Sequence, residues 1–362
     1  MEGVALFTHE VLKKLVEQHP EDEFIFFFDR PYDTSFVYGK NVKPVVLFPP
    51  ARHPFLFLWW FEHSVVRALK KYKADVFLSP DNFMSLGTEV KTVLVTHDLA
   101  YLHTAGKQPF LQKKYYQTFS PRFNKRADHI VAVSHFTKKD IIEQYGVLPE
   151  KISVACNGCD SMFHPTTEKE KDVVRQKFAE GQQYFFYVGA IHPRKNVHRL
   201  IAAFGHFKSN THSPVKLLIA GRFAWQTGEV KDAFDQSGFQ RDIHFLGYVP
   251  GDELPKLMAG AMACTYVSLF EGFGIPILQA MHSEVPVITS NVSSMPEVAG
   301  KAGLLVNPYS TVEIASAMQL IWQDAHLRSS LVEAGRKQRK LFTWQKAADV
   351  VYHALRQTLG QG

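Results

Sequence analysis

The stretch "LFEGFGIPILQAM", residues 269–281, carries the decision about the fold. Glu271 stands at the lip of a turn made by Gly272 and Gly274, and Pro276 follows where a helix can begin. A first-turn proline loses nothing, because the N–H it lacks has no partner inside the helix. Ile277, Leu278 and Met281 then recur at helical spacing, while Cys264–Val267 ahead of the turn reads as a short buried strand. Strand, glycine turn and helix in that order form the repeating unit of a parallel α/β sheet.

Working outward, the same alternation runs along all 362 residues. Strands are expected at Phe24–Phe28, Val45–Phe48, Val76–Leu78, Thr92–Thr96, Ile130–Val133 and Ile152–Cys156. A polar stretch around Pro165–Lys171 follows, and a second series fits Tyr184–Val188, Val215–Ala220, Ile243–Leu246, Cys264–Val267, Pro286–Thr289 and Leu304–Val306. Amphipathic helical patterns separate them, among them Leu6–Val16, Phe55–Tyr72 and 197–208. Near-continuous apolar strands between such helices belong to buried parallel sheets. The reading is α/β: two doubly wound, Rossmann-like domains at 1–165 and 166–342, the natural number at roughly 100–200 residues per domain. The helical pattern Trp344–Leu359, within 343–362, is left over and is expected to pack back on the first domain. One feature breaks the pattern. A doubly wound domain opens on a buried strand, yet this chain opens on Gly3 and a helix, so a first strand is missing or the fold departs from type there.

Composition excludes several classes. Charged residues are 21% and the net charge is +6, with no long Lys/Arg run to suggest nucleic acid. Three cysteines do not make a disulfide scaffold, and Cys156 and Cys159 lack the partners of a zinc set. The apolar run "FLFLWWF" at 55–61 is far below the roughly 20 residues of a membrane span. With no signal-peptide pattern, a cytoplasmic location is expected.

Ligands of open parallel sheets bind beyond the carboxyl ends of the strands. After Tyr184–Val188 comes "GAIHPRKN", 189–196. Gly189 permits a tight turn, Arg194 and Lys195 supply two cations, and Asn196 suits the cap of the next helix. Cations beside a helix start fit a diphosphate, although a bare Arg-Lys pair also fits a solvated turn. In the opening stretch, Gly272 and Gly274 let the backbone approach a ligand, and the N–H groups of Phe273, Gly274 and Ile275 can face an anion. Glu271 can accept from ligand hydroxyls, or simply cap the helix. Gln279, about one turn into the helix, offers an amide where a carboxylate could grip a ribose. His97 and Asp98 stand at the end of Thr92–Thr96, a position for a polar contact to a transferred group or for a structural hydrogen bond. No D-x-D occurs, and G-x-x-x-x-G-K-[ST] and G-x-S-x-G are absent, which excludes the P-loop and nucleophile-elbow chemistries by motif.

The motifs "FYVGAIHPRKNVHRLIAAF", "IHFLGYVPGDELPKLMAGAMA", "SLFEGFGIPILQAM" and "VPVITSNVSSMPEVAGKAGLLVNP" resemble those of family 4 glycosyltransferases with the GT-B fold. "VTHDLAYL", "ADHIVAVSHFTKKDII" and "KISVACNGCD" extend the resemblance through the first half. It implies two Rossmann-like domains facing a cleft and a retaining transferase that needs no metal or other cofactor. The donor it implies is a nucleotide-diphosphate hexose, GDP-mannose or a UDP-sugar, and the acceptor a glycan or a lipid-linked glycan. By the resemblance, Arg194 and Lys195 hold the diphosphate, Glu271 and the N–H groups of 273–275 meet sugar and phosphate, and residue 279 meets the ribose. Gly247, Tyr248 and Val249 line the base pocket, His97 touches the donor sugar, and Gly3 matches the glycine loop after the family's first strand. The chain departs from the pattern in Gln279 for a second Glu, Val267 for a Pro, Glu284 for a common Gly, and the missing first strand. Those departures motivate two other readings, a catalytically weakened nucleotide-sugar-binding partner and a GT-B sugar-nucleotide epimerase. A peripheral contact with the inner membrane surface is a further expectation, from the aromatic and basic segment 109–128, where Pro121 is expected to break the helix.

Overall fold

The computed structural model describes residues 3–104, 110–223 and 228–361. The chain forms two compact units, Met1–Gly158 with Thr343–Gly362, and Cys159–Phe342. The last helix, Trp344–Leu359, therefore belongs to the amino-terminal unit, where Lys91 Nζ donates to the Thr358 carbonyl at 2.8 Å and the His19 ring stacks on Tyr352. The polar run at 165–171 opens a helix, because Thr167 and Glu170 form a reciprocal capping box for Glu168–Ala179.

In the amino-terminal unit the strands are β1 (Phe24–Phe28), β2 (Val42–Val46), β3 (Val76–Ser79), β4 (Lys91–Thr96), β5 (His129–Ala132) and β6 (Ile152–Val154). They form two parallel sheets, β1-β2 and β3-β4-β5-β6. The chain enters through the helix Gly3–Gln18, with no strand ahead of it among the described residues. Strand β2 lies earlier than the expected Val45–Phe48, because pairing with β1 runs from Phe24↔Val42 to Phe28↔Val46.

Pro121 does not break its helix, which runs unbroken from Phe110 to Arg126. Phe123 is buried in the core and Tyr116 and Phe119 pack against it, so tertiary burial outweighs the hydrogen bond that the proline removes. Tyr116, Phe119 and Phe123 of this segment are thus core residues; residue 109 lies outside the described residues.

The carboxyl-terminal unit holds β7 (Tyr184–Val188), β8 (Lys216–Ala220), β9 (Ile243–Gly247), β10 (Ala263–Tyr266), β11 (Val287–Ser290) and β12 (Gly303–Val306). All are parallel, in the order β12-β11-β10-β7-β8-β9. Strands β8, β10 and β11 are buried throughout, as expected of a sheet covered on both faces. The order has a physical consequence. The chain winds outward from β7 through β8 to β9, then crosses back to β10 and winds the other way. The loops after β7 and β10 therefore part at a topological switch point, where an open parallel sheet leaves a crevice.

Candidate active site

The loop after β7 and the loop after β10 are the two read from the sequence as chemical, and backbone bonds tie them together. Leu269 N donates to the Arg194 carbonyl at 2.8 Å. Asn196, in the left-handed conformation at φ 61, sends its side-chain amide to the carbonyls of Val267 at 3.0 Å and Pro308 at 2.7 Å. It was expected to cap the helix Val197–Thr211, but its side chain makes no capping bond and instead clamps three strand ends together.

On that scaffold Glu271 meets both cations. Arg194 Nη1 donates to Glu271 Oε2 at 2.9 Å and to the Phe270 carbonyl at 2.6 Å. Lys195 Nζ donates to Glu271 Oε1 at 2.7 Å and to the Tyr266 hydroxyl at 2.6 Å. Burial would raise the Glu271 carboxyl, but Arg194 and Lys195 outweigh it and hold the group at about 2. Burial drives the Tyr266 phenol upward, so Tyr266 stays neutral, and it accepts from Lys195. The trio thus carries a single net positive charge, not the two that the Arg-Lys pair alone suggests. The Arg194 and Lys195 side chains keep 22% and 15% of their surface in solvent against 9% for Glu271, so a ligand can reach the cations.

The glycine turn is fixed from behind. Ser294 Oγ donates to the carbonyls of Glu271 at 2.9 Å and Phe273 at 2.8 Å, while Glu271 N donates to Ser293 Oγ at 3.1 Å. Gly274 sits at φ 107, a conformation that side chains rarely adopt, and precedes the helix Ile275–His282. The helix start, the positive end of its dipole, thus follows Glu271 by only four residues.

Of the remaining expected residues, Gln279 is half-buried one turn into that helix. Gly189 follows β7, with its N–H bonded to the Ala220 carbonyl. Gly247 ends β9, and Tyr248 and Val249 follow it; Tyr248 is 60% exposed and carries the Arg222 guanidinium 4.4 Å from its ring centre. His97 and Gly3 belong to the amino-terminal unit. His97 is buried, its Nε2 lies 2.8 Å from the Pro80 carbonyl, and its backbone N donates to Asn82 Oδ1 at 2.6 Å. Burial lowers its pKa, so the ring is neutral, with Nε2–H donating to Pro80 and Nδ1 as its acceptor side. Phe7, on the helix that Gly3 opens, packs edge-on against the His97 ring at 5.2 Å.

Tyr266, Ser293, Ser294 and Arg222 were not singled out from the sequence. Each stands at or just after a strand end (β10, β11 or β8), so the rule that found Arg194 and Glu271 could have found them.

Two sequence comparisons bear on this site. The pattern of the Glycosyltransferase Family 4 proteins matches residues 1–162, and that of the Glycosyl transferases group 1 proteins matches residues 168–338. Over 293 residues the chain is 30% identical to an Escherichia coli protein, O-antigen chain mannosyltransferase B, covering 79% of this chain and 75% of that one.

The chain belongs to glycosyltransferase family 4.

This glycosyltransferase is also 33% identical over 214 residues to O-antigen chain mannosyltransferase RfbU of Salmonella typhimurium, spanning 59% of this chain and 56% of the relative. Its GT-B fold is shared with solved structures at low identity. An Anabaena protein, Alr3699/HepE, in complex with UDP and glucose superposes with a TM-score of 0.78 at 18% identity, covering 98% and 96% of the two chains. WaaG, a glycosyltransferase involved in lipopolysaccharide biosynthesis, gives 0.77 at 17%, covering 97% and 96%.

Proposed function

We propose that this glycosyltransferase moves mannose, with retention and without a metal, from GDP-mannose to a growing glycan or lipid-linked glycan. Support for the sugar comes from the mannosyltransferase names of the relatives in E. coli and S. typhimurium. The observation that carries the chemistry is the Glu271 carboxylate pinned between Arg194 and Lys195 at a helix start on the switch point.

As the bond between sugar and diphosphate breaks, negative charge grows on the leaving phosphate. Arg194, Lys195 and the helix start stabilise that charge, and they are held in place before the reaction begins. Glu271, ionised at any physiological pH, accepts from sugar hydroxyls and orients the ring. The acceptor hydroxyl attacks from the leaving-group side and passes its proton to a phosphate oxygen, so no protein nucleophile is required. Gln279 meets the ribose and Tyr248 the base side, while His97 serves the transferred sugar. Arg194 and Lys195 neutralise the diphosphate in place of a divalent ion.

Contact with an anionic membrane is part of the proposal, on a surface other than 109–128. Val46, Phe48, Phe55, Leu56 and Trp59 are all exposed, Phe48 at 83%, in an amino-terminal-unit stretch where Trp60 Nε1 bonds the Leu47 carbonyl and Ser64 bonds that of Phe48. Exposed Arg52 adds a cation beside these aromatics. Among the described residues no helix is long and apolar enough to cross a membrane.

The test is a donor panel of GDP-mannose, UDP-glucose, UDP-galactose and ADP-glucose, with the full chain and mannose-ended oligosaccharides. Mannose transfer from GDP-mannose in the α configuration, undiminished by EDTA, is expected. Transfer from a UDP-sugar alone would overturn the donor, and loss in EDTA would overturn the metal-free mechanism.

A further inference from the structure

The carboxyl ends of β7, β8 and β9 form a ledge on one side of the switch point, and backbone bonds lock its loops in step. Gly189 N donates to the Ala220 carbonyl and Ile191 N to that of Arg222, both at 2.9 Å. Gly221 N donates to the Gly247 carbonyl at 2.7 Å. Arg222 is therefore fixed relative to the loop that carries Arg194 and Lys195.

Pairing decides what the ledge presents. Strand β9 carries a bulge, so that Ile219 pairs with Phe245 but Ala220 with Gly247 rather than Leu246. Bulges re-aim the side chains near them. Gly247, at a left-handed φ of 65, turns the chain, and the Tyr248 ring comes to face the Arg222 guanidinium. Phe223 is exposed beside it, its ring 5.3 Å from that of Phe245, which packs on Phe234 at 5.5 Å. An arginine and two exposed aromatic rings thus share one rim, backed by the sheet.

The fold does not use this arginine. Among the described residues its guanidinium makes no ion pair and no hydrogen bond, so five N–H donors stay available to a ligand. Its ring partner is exposed, so the contact covers no core. The contact does restrict the rotamers of a long side chain in advance of binding, which lowers the cost of ordering it later. Strand β9 lies two strands from β7, or about 10 Å at ordinary strand spacing. A nucleotide whose diphosphate rests on Arg194 and Lys195 can lay its ribose and base across that interval.

We infer that Arg222 reads the base of the donor: its fork donates to O6 and N7 of guanine, with Tyr248 and Phe223 beside the purine. The inference rests on the GDP-mannose reading and adds the residue that sets the nucleotide. Guanine presents two adjacent acceptors on that edge, which a guanidinium matches bidentately. Adenine sets an N6 donor beside N7, and uracil sets a C–H beside O4, so an all-donor fork finds one partner fewer on either.

The experiment is calorimetry of the full chain with GDP, 7-deaza-GDP, ADP and UDP. The parent should bind GDP about tenfold or more tightly than ADP or UDP, and 7-deaza-GDP severalfold more weakly than GDP. Arg222→Ala should erase that preference by weakening GDP alone, its ADP and UDP affinities serving as the check on folding. Arg222→Gln, whose amide matches N6 and N7 of adenine, should shift the preference toward ADP. An unchanged ratio of GDP to ADP affinity in Arg222→Ala would overturn the inference and leave the donor standing. Equal weakening of all the nucleotides would make Arg222 a phosphate contact and overturn it too. A parent that prefers UDP would overturn the donor itself.

Discussion

Replacing Glu271 by Gln tests the site most sharply, because stability, product binding and turnover should move in different directions. The amide keeps the shape of the carboxylate but removes the charge that Arg194 and Lys195 share at 2.9 and 2.7 Å. Moving the carboxyl from its ordinary 4.5 to about 2 corresponds to roughly 3 kcal/mol of stability at neutral pH. The Glu271→Gln protein should lose about that much in urea unfolding of the carboxyl-terminal unit. Affinity for GDP, which has no sugar for Glu271 to hold, should instead rise. The local charge doubles from one to two, and each added charge pair at about 5 Å is worth about 3 kcal/mol at an effective dielectric near 20. Because both cations reach solvent, half of that is a fair expectation, or about tenfold tighter binding. Turnover should fall by about a hundredfold or more, since the acceptor for the sugar hydroxyls is gone. Calorimetry with GDP at two salt concentrations reads the effect, and the gain should shrink as salt rises. If Glu271→Gln binds GDP no tighter than the parent, while Lys195→Ala leaves GDP binding unchanged, the cations do not hold the diphosphate and the reasoning fails.

Gln279→Glu should bind GDP about five- to tenfold more tightly, because a carboxylate accepts from ribose hydroxyls more strongly than an amide; unchanged calorimetry would remove residue 279 from the ribose. Gly221→Ala should cost roughly 2–3 kcal/mol in chemical unfolding and weaken donor binding, since a Cβ there would lie 1.9 Å from the Gly189 carbonyl oxygen at a φ of 154. Glu284 holds a left-handed φ of 57 while pairing with Arg336, so Glu284→Gly should be more stable than Glu284→Ala by about 1 kcal/mol in the same assay. The Glu271 contribution, being that of a carboxyl with a depressed pKa, is fully present above pH 4.5 and is lost as pH falls toward 2. The difference in stability between the parent and Glu271→Gln should therefore close over that window.

The strand ends were legible because two signals coincide there. Apolar runs such as Tyr184–Val188 stop abruptly at glycine, and polar residues follow at once. What stayed hidden depends on pairing between distant segments. Nothing local in "HPRKN" says that Asn196 reaches Val267 and Pro308 rather than its own helix. Nothing local in "TFSPRFNKR" says that burial of Phe123 will carry a helix through Pro121. The departure at Glu284 is a milder case. A position that suits glycine was visible as a change of residue, but its left-handed backbone and the Arg336 partner that compensates it come only from the folded chain.

The electrostatics of the site were misjudged from the sequence for the same reason, and the correction changes what the site should prefer. Two adjacent cations read as a trap for any diphosphate. Folded, they are half neutralised by Glu271, so a bare nucleotide meets one net positive charge. A nucleotide carrying its sugar offers hydroxyl donors to the carboxylate as well as oxygens to the cations, and both halves of the trio can then be engaged together. On the proposed function, a carboxylate placed between the cations and the sugar would lower affinity for the product GDP relative to the donor and so favour release after transfer. The tenfold gain in GDP affinity expected of Glu271→Gln measures that bias, and a slower product-release phase in the variant's residual turnover would be its kinetic counterpart.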